Sequence, residues 1–291
     1  IGSLDQRFVG DHGEAGNIFV LRGMQWRILN VDEKALQVNV EPIRGERRNV
    51  PYWEGENIPV DYNTAQKVGL FRNKVKHGSL SMLNKIIPEL DFSVIPDEKT
   101  IVIESVRTDR NVVIHACFGT KINSTLATIL SSLLESILGQ VVQSRSDAYR
   151  IVLESNARIN QQMIVDALIE KFDLRDIVTA SLIGTHNVNW RTWCVAKKFG
   201  MVGRGAIYDR KSGRFLYERY QNTPVVMESL RELFHDKFDL QSTEIILNKI
   251  RNKEIQIEWV NVDKFSKLAE PLLDHTTKYY SSPASVDKAI L

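Results

Sequence analysis

Three adjacent runs decide the fold class: Ile101-Val-Ile-Glu-Ser-Val106, Asn111-Val-Val-Ile-His-Ala-Cys-Phe118, and Ile122 through Gly139. The first two are short, apolar and rich in β-branched residues, and Arg107-Thr-Asp-Arg110 joins them, so they read as a hairpin. The third changes period. Ile122, Leu126, Ile129, Leu130, Leu133, Leu134, Ile137 and Leu138 recur three and four apart on one helical face, and Gly139 stops the helix. Val141 to Gln143 and Tyr149 to Leu153 return to strand character, and a helix is predicted from about Arg158 to Phe172. The order β-β-α-β-β-α predicts a sheet covered by helices.

Toward the N-terminus, Ile18 to Leu21, Gln25 to Val31 and Leu36 to Val40 predict three short antiparallel strands, with turns at Arg22-Gly23 and Asp32-Glu33-Lys34. Residues 44–63 are irregular. Thr64 to Leu90 reads as two helices parted at Gly78, and Pro88 and Pro96 bracket a connection. Toward the C-terminus, helices are predicted near 174–183 and 187–200, then a hairpin across Ala206 to Tyr220 with its turn at Lys211-Ser212-Gly213. The next helix starts where Thr223 can cap free amides and Pro224 takes the first helical position. A helix near Ser242 to Asn252 and a strand with Ile255, Ile257 and Trp259 on one face follow. The expected class is α+β: a small antiparallel strand meander followed by a larger mixed sheet covered by helices. The expected division is 1–98, 99–261, and a peripheral tail 262–291.

With 291 residues and 43% hydrophobic content, the chain can bury a sizeable core. Its 38 basic and 36 acidic residues leave a formal charge of +2, so attraction for phosphate must come from local patches. Cys117 and Cys194 stand in apolar contexts without partners at ligand spacing, which points to buried thiols in a reducing, cytoplasmic setting rather than a disulfide or zinc site. No apolar run reaches the roughly 20 residues that span a bilayer, so no membrane partner is expected. Ile1 opens in what reads as folded sequence, which suggests a piece of something longer.

Enzyme signatures are missing: no phosphate loop, no nucleophile elbow, no metal-binding helix. Gly200-Met-Val-Gly203-Arg-Gly205 has its glycines in the wrong order and follows a helix, so it reads as a helix stop. His115 and Cys117 share a strand face and are the nameable pair for a base and nucleophile; the simpler reading is a half-buried His donating to a backbone carbonyl. Asp173 and Asp176 suit a helix start.

Two basic-aromatic clusters stand out. Arg44, Arg47 and Arg48 precede Pro51-Tyr52-Trp53 in an irregular segment, where guanidinium groups can neutralise phosphates while flat rings accept unpaired bases. The same aromatics could instead cover the small sheet. The second cluster is Trp190, Arg191, Trp193, Lys197 and Lys198 on one predicted helix, with Trp190, Trp193 and Lys197 on a shared face and Arg191 and Lys198 on the flank.

Several of these motifs occur together in one family. Ile1-Gly-Ser-Leu-Asp-Gln-Arg-Phe-Val9, Phe19 to Ile28, and Pro51-Tyr-Trp53-Glu-Gly-Glu56 resemble the region after the winged helix in Lhr-family (large helicase-related) proteins. Val113 to Asn123, Ser146-Asp-Ala-Tyr149, Arg191 to Met201 and Thr223 to Leu233 resemble that family's DEAD/DEAH helicase-associated domain. The resemblance runs over about residues 1 to 260. It implies the C-terminal part of a superfamily 2 helicase that hydrolyses ATP and moves 3′ to 5′ on a single strand. ATP and magnesium would then belong to motor domains outside this chain, and none is expected within it. The implied partners are single-stranded DNA or RNA and the motor and winged-helix domains of the same polypeptide.

Carried across, the resemblance makes Trp53 the base-stacking position. Tyr52, Arg44, Arg47, Arg48, Lys121, Arg191, Lys197 and Lys198 complete the expected nucleic-acid-binding set. One departure stands: members often carry a more basic, Phe-rich stretch where this chain has Trp190-Arg-Thr-Trp193-Cys194. Two rivals are a scaffold that only docks the motor or a partner protein, and an enzyme built on His115 and Cys117.

Overall fold

A computed structural model gives the fold and describes residues 2–22, 24–33, 35–43, 58–77, 95–106, 110–203 and 205–273. Helix α1 (Gln6–His12) precedes strands β1 (Ile18–Leu21), β2 (Met24–Asp32) and β3 (Gln37–Ile43). Helix α2 (Tyr62–His77) leads to β4 (Thr100–Val106), β5 (Asn111–His115), α3 (Thr120–Leu138), β6 (Val142–Ser146) and β7 (Arg150–Ser155). Then come α4 (Gln161–Ile169), α5 (Leu174–Leu182), α6 (His186–Lys198), α7 (Arg210–Arg219), α8 (Pro224–Lys237) and α9 (Leu240–Arg251). Strand β8 (Gln256–Val262) and the short α10 (Glu270–Leu273) follow. Residues 78–94, where a second helix is expected, lie outside the described residues.

The chain forms two compact units, Ile1–Asn57 with Gly184–Leu233, and Ile58–Ile183 with Phe234–Leu291. This division cuts across the linear segments 1–98, 99–261 and 262–291. Residues 184–233 pack with the N-terminal region instead: Arg7 donates to the Asn187 side chain at 2.6 Å, and the Tyr208 hydroxyl bonds Asp11 at 3.2 Å. Pairings so distant along the chain leave no local pattern.

In the first unit, β1, β2 and β3 form the antiparallel meander predicted from sequence. Trp26 faces Phe19 on one side and Pro42 on the other. Phe8 of α1 meets Phe19 edge-on at 5.7 Å, and these rings with Trp26 and Ile28 make one core cluster. A second cluster gathers Trp193, Val195, Ala196, Tyr208, Leu216 and Val225.

Residues 210–219 form a helix, which corrects the hairpin expected there. The Asp209 carboxylate accepts from the Ser212 amide at 2.9 Å and caps α7, while Leu216 and Tyr217 are buried on its inner face. Gly213 is a packing residue rather than a turn residue, since a Cβ there would come 2.7 Å from the Tyr208 ring. Cap and contact residues thus imitated turn chemistry. Pro224 opens α8, but the Thr223 hydroxyl, expected to cap it, donates to the Tyr220 carbonyl at 2.6 Å.

In the second unit the strand order is β6-β7-β5-β4-β8, antiparallel except for the parallel β4–β8 pair. One face carries α3, whose Ile122, Leu126, Ile129, Leu130 and Leu134 are buried, with α4, α5 and α9 packed around it. The other face pairs Glu104 with Val113 and Val102 with His115. Glu104 is 0% and His115 1% exposed, and their side chains meet at 2.8 Å. The carboxylate completes its bonding with the Ser266 amide and, at 2.8 Å, the Ser266 hydroxyl. Residues 263–273 are therefore no loose tail: Ala269 and Leu272 bury Val113 and Val152. Residues 274–291 lie outside the described residues.

Two stability outcomes follow from this packing. Gly213→Ala should cost about 1–3 kcal/mol through overpacking against Tyr208. Ser266→Ala should cost about 1.5–3 kcal/mol, the worth of a hydrogen bond to a charged group. Urea midpoints at constant slope check both, and unchanged midpoints would refute them.

Candidate nucleic-acid interface

Helix α6 starts where the Thr185 hydroxyl accepts the Val188 amide at 3.4 Å. From that start, Trp190 and Trp193 stack with centroids 5.6 Å apart, and Tyr208 stands edge-on to both at 4.7 and 5.6 Å. Trp193 is core and Trp190 packs partly buried against it. The shared face with Lys197 exists as spaced: its ammonium lies 4.8 Å over the Trp193 ring and donates to the Ala206 carbonyl at 3.2 Å.

On the flank, Arg191 and Lys198 both reach Glu232 of α8, at 2.9 and 2.7 Å. The Lys198 bond holds the Glu232 carboxyl below its ordinary range, with Arg191 adding to the effect against partial burial. Helix α6 thus brings together three of the expected cations, each on a protein partner. Lys121 lies in the other unit and donates to the His235 carbonyl at 2.7 Å. Arg44, Arg47, Arg48, Tyr52 and Trp53 lie outside the described residues.

The proposed base and nucleophile separate. His115 turns to Glu104, a carboxylate rather than the backbone carbonyl expected. Cys117 receives the Arg72 guanidinium at 3.3 Å. Burial pushes the Cys117 thiol up, with Arg72 opposing only in part, and burial likewise raises Cys194. Asp173 caps α5 by accepting the Arg175 and Asp176 amides, which accounts for the acid pair there. Gly200 closes α6 by donating to the Lys197 carbonyl at 3.1 Å.

The connection from β5 into α3 passes through Gly119. Gly119 takes φ 89°, and the Thr120 amide donates to the Val60 carbonyl at 2.9 Å. The Val60 amide donates to the Thr120 hydroxyl at 3.0 Å. The Thr120 amide and hydroxyl at that helix start are thus both engaged by Val60. No three His, Cys, Asp or Glu side chains among the described residues gather as a metal site. Among those residues, no helix is long and apolar enough to cross a membrane.

Sequence reading missed a buried polar group in the first unit. Asp11 sits 3.7 Å from Arg7 and 3.5 Å from His186, beside Tyr208, whose hydroxyl is pushed up by burial and then by Asp11. The Arg7–Asp11 pair has helical i,i+4 spacing, but no signal in the sequence joins Asp11 to His186 or Tyr208, so far along the chain.

Fold and site define an α+β region with a small antiparallel sheet, a larger mixed sheet, and a helix on which tryptophan rings and three cations come together. The family model described as DEAD/H associated matches residues 95–269, and the chain belongs to that family. The ATP-dependent helicase Lhr-Core of Saccharolobus solfataricus is 24% identical over 89% of this chain and 34% of its own length. The Lhr helicase/uracil glycosylase of Escherichia coli is 23% identical over 94% of this chain and 20% of its own. The chain therefore spans about a third or less of these curated relatives. The structure of Mycobacterium smegmatis helicase Lhr bound to ssDNA and AMP-PNP shares the fold, with a TM-score of 0.60 and 19% identity over 77% of this chain and 33% of that one.

Iodoacetamide at neutral pH should leave both cysteines of the folded chain unmodified on the timescale that labels the urea-unfolded chain, because burial disfavours each thiolate. Rapid labelling of Cys117 in the folded protein would revive the nucleophile.

Proposed function

We propose that this chain is an accessory nucleic-acid-binding region of an ATP-dependent 3′ to 5′ DNA helicase. In this reading it forms part of the single-strand channel and couples translocation to unwinding. The observation that carries it is the likeness in fold to a helicase solved with ssDNA, in a chain whose family is DEAD/H associated. ATP hydrolysis with magnesium would belong to motor domains of the same polypeptide, next to a winged-helix domain. Contacts from this chain would be phosphates on arginine and lysine and a base on Trp53, with no bond chemistry. DNA and RNA share those contacts.

One observation favours a second reading, a scaffold that docks the motor domains without touching nucleic acid. The α6 cations Arg191 and Lys198 already hold Glu232, and Lys197 already caps a tryptophan ring.

Fluorescence anisotropy with labelled single strands separates the two. The nucleic-acid reading expects affinity to fall with salt by about 0.7 log units per log unit for each phosphate contacted. Trp53→Ala should weaken binding by about 1–3 kcal/mol while melting stays put. A chain that binds no single strand at any salt, yet captures the motor domains, would establish the scaffold instead.

A further inference from the structure

At one end of the larger sheet, a cavity of about 210 Å³ lies between the ends of β4 and β8 and the start of α4, lined by Ser105, Arg158, Asn160, Trp259 and Asn261 among others. All belong to the second unit. The hydrogen bonds already made there fix which way each carboxamide presents itself. Asn160 accepts the Met163 amide through Oδ1 at 3.0 Å. Asn261 Oδ1 accepts from the Ser105 hydroxyl at 3.0 Å and from the Trp259 indole at 3.2 Å. With both oxygens engaged, the two NH₂ groups remain as donors, and neither has a partner among the described residues.

Arg158 is exposed, and no described residue pairs with its guanidinium. No carboxylate is among the described lining residues. The wall therefore offers donors and positive charge together, the requirement for an oxyanion. Half-buried Trp259 adds a flat ring, tethered through its indole to Asn261.

We propose that this cavity binds one nucleotide unit of a single strand, its phosphate on Arg158, Asn160 and Asn261 and its base against Trp259. The inference rests on the nucleic-acid reading above and adds to it a contact far along the sequence from Trp53. Phosphate recognition by guanidinium and amide donors, next to an aromatic face, is indifferent to base sequence.

The test uses the full chain and fluorescein-labelled oligo(dT), with melting recorded for each variant. Asn261→Asp keeps the oxygen that serves Ser105 and Trp259 but replaces the donor with negative charge, and should weaken binding severalfold. Arg158→Ala should weaken it too and lower the log–log salt slope by about 0.7, the share of one phosphate on a single strand. Trp259→Leu should cost roughly fivefold or more, and Trp259→Phe should restore most of it. If Asn261→Asp melts lower, exposed Arg158→Ala decides. Thymidine monophosphate should bind far more weakly than the strand; equal affinity would assign the cavity to free nucleotides and overturn the proposal. Wild-type binding by both Arg158→Ala and Asn261→Asp, while Trp53→Ala is impaired, sinks this site and leaves the nucleic-acid reading standing. No binding by the unaltered chain sinks both.

Discussion

A carboxylate with no exposure to solvent sits in the middle of the larger sheet, and much of the second unit is arranged to satisfy it. Removing such a group from water costs several kcal/mol unless donors surround it. Glu104 has three: His115 from the neighbouring strand, and the amide and hydroxyl of Ser266. The strand pair alone cannot supply the last two. Residues 263–273 must therefore return across the sheet, and in doing so Ala269 and Leu272 cover Val113 and Val152. A polar requirement and an apolar one are met by the same short segment.

The same packing gives His115 and Cys117 different partners. His115 ends β5 and is drawn toward Glu104, while Cys117 lies beyond the strand and receives Arg72, which also stacks over Tyr149 at 5.3 Å. The residues from Ala116 to Asn123 are occupied with holding elements together. Buried Asn123 donates to the Ala116 and Asp147 carbonyls at 3.0 and 2.9 Å, joining the end of β5, the start of α3 and the β6–β7 turn. That stretch therefore has a structural task in joining these elements.

On α6 two tryptophans build an aromatic stack with Tyr208, and Lys197 lies over it. Charge on this helix is balanced within the unit by Glu232. Cations that already have good partners gain less from phosphate than a guanidinium such as Arg158, which no described residue engages.

Much of this was legible in the sequence because it is local. The 3.6-residue period of Ile122 to Leu138, the alternation of the N-terminal meander and the β-branched hairpin each follow from which face of one element is apolar, and each appears in the fold. The α6 spacing likewise placed Lys197 with Trp193 and set Arg191 beside Lys198. What failed was where one composition suits two structures: Lys211, Ser212 and Gly213 read as a hairpin turn, whereas Asp209 caps a helix there that buries Gly213 against the Tyr208 ring together with Leu216 and Tyr217. Tertiary structure alone decided that residues 184–233 join the N-terminal unit, that Glu104 is the partner of His115, and that Arg158, Asn160, Trp259 and Asn261 line one cavity. Those pairings depend on distances through space between residues far apart along the chain, and periodicity carries no information about them.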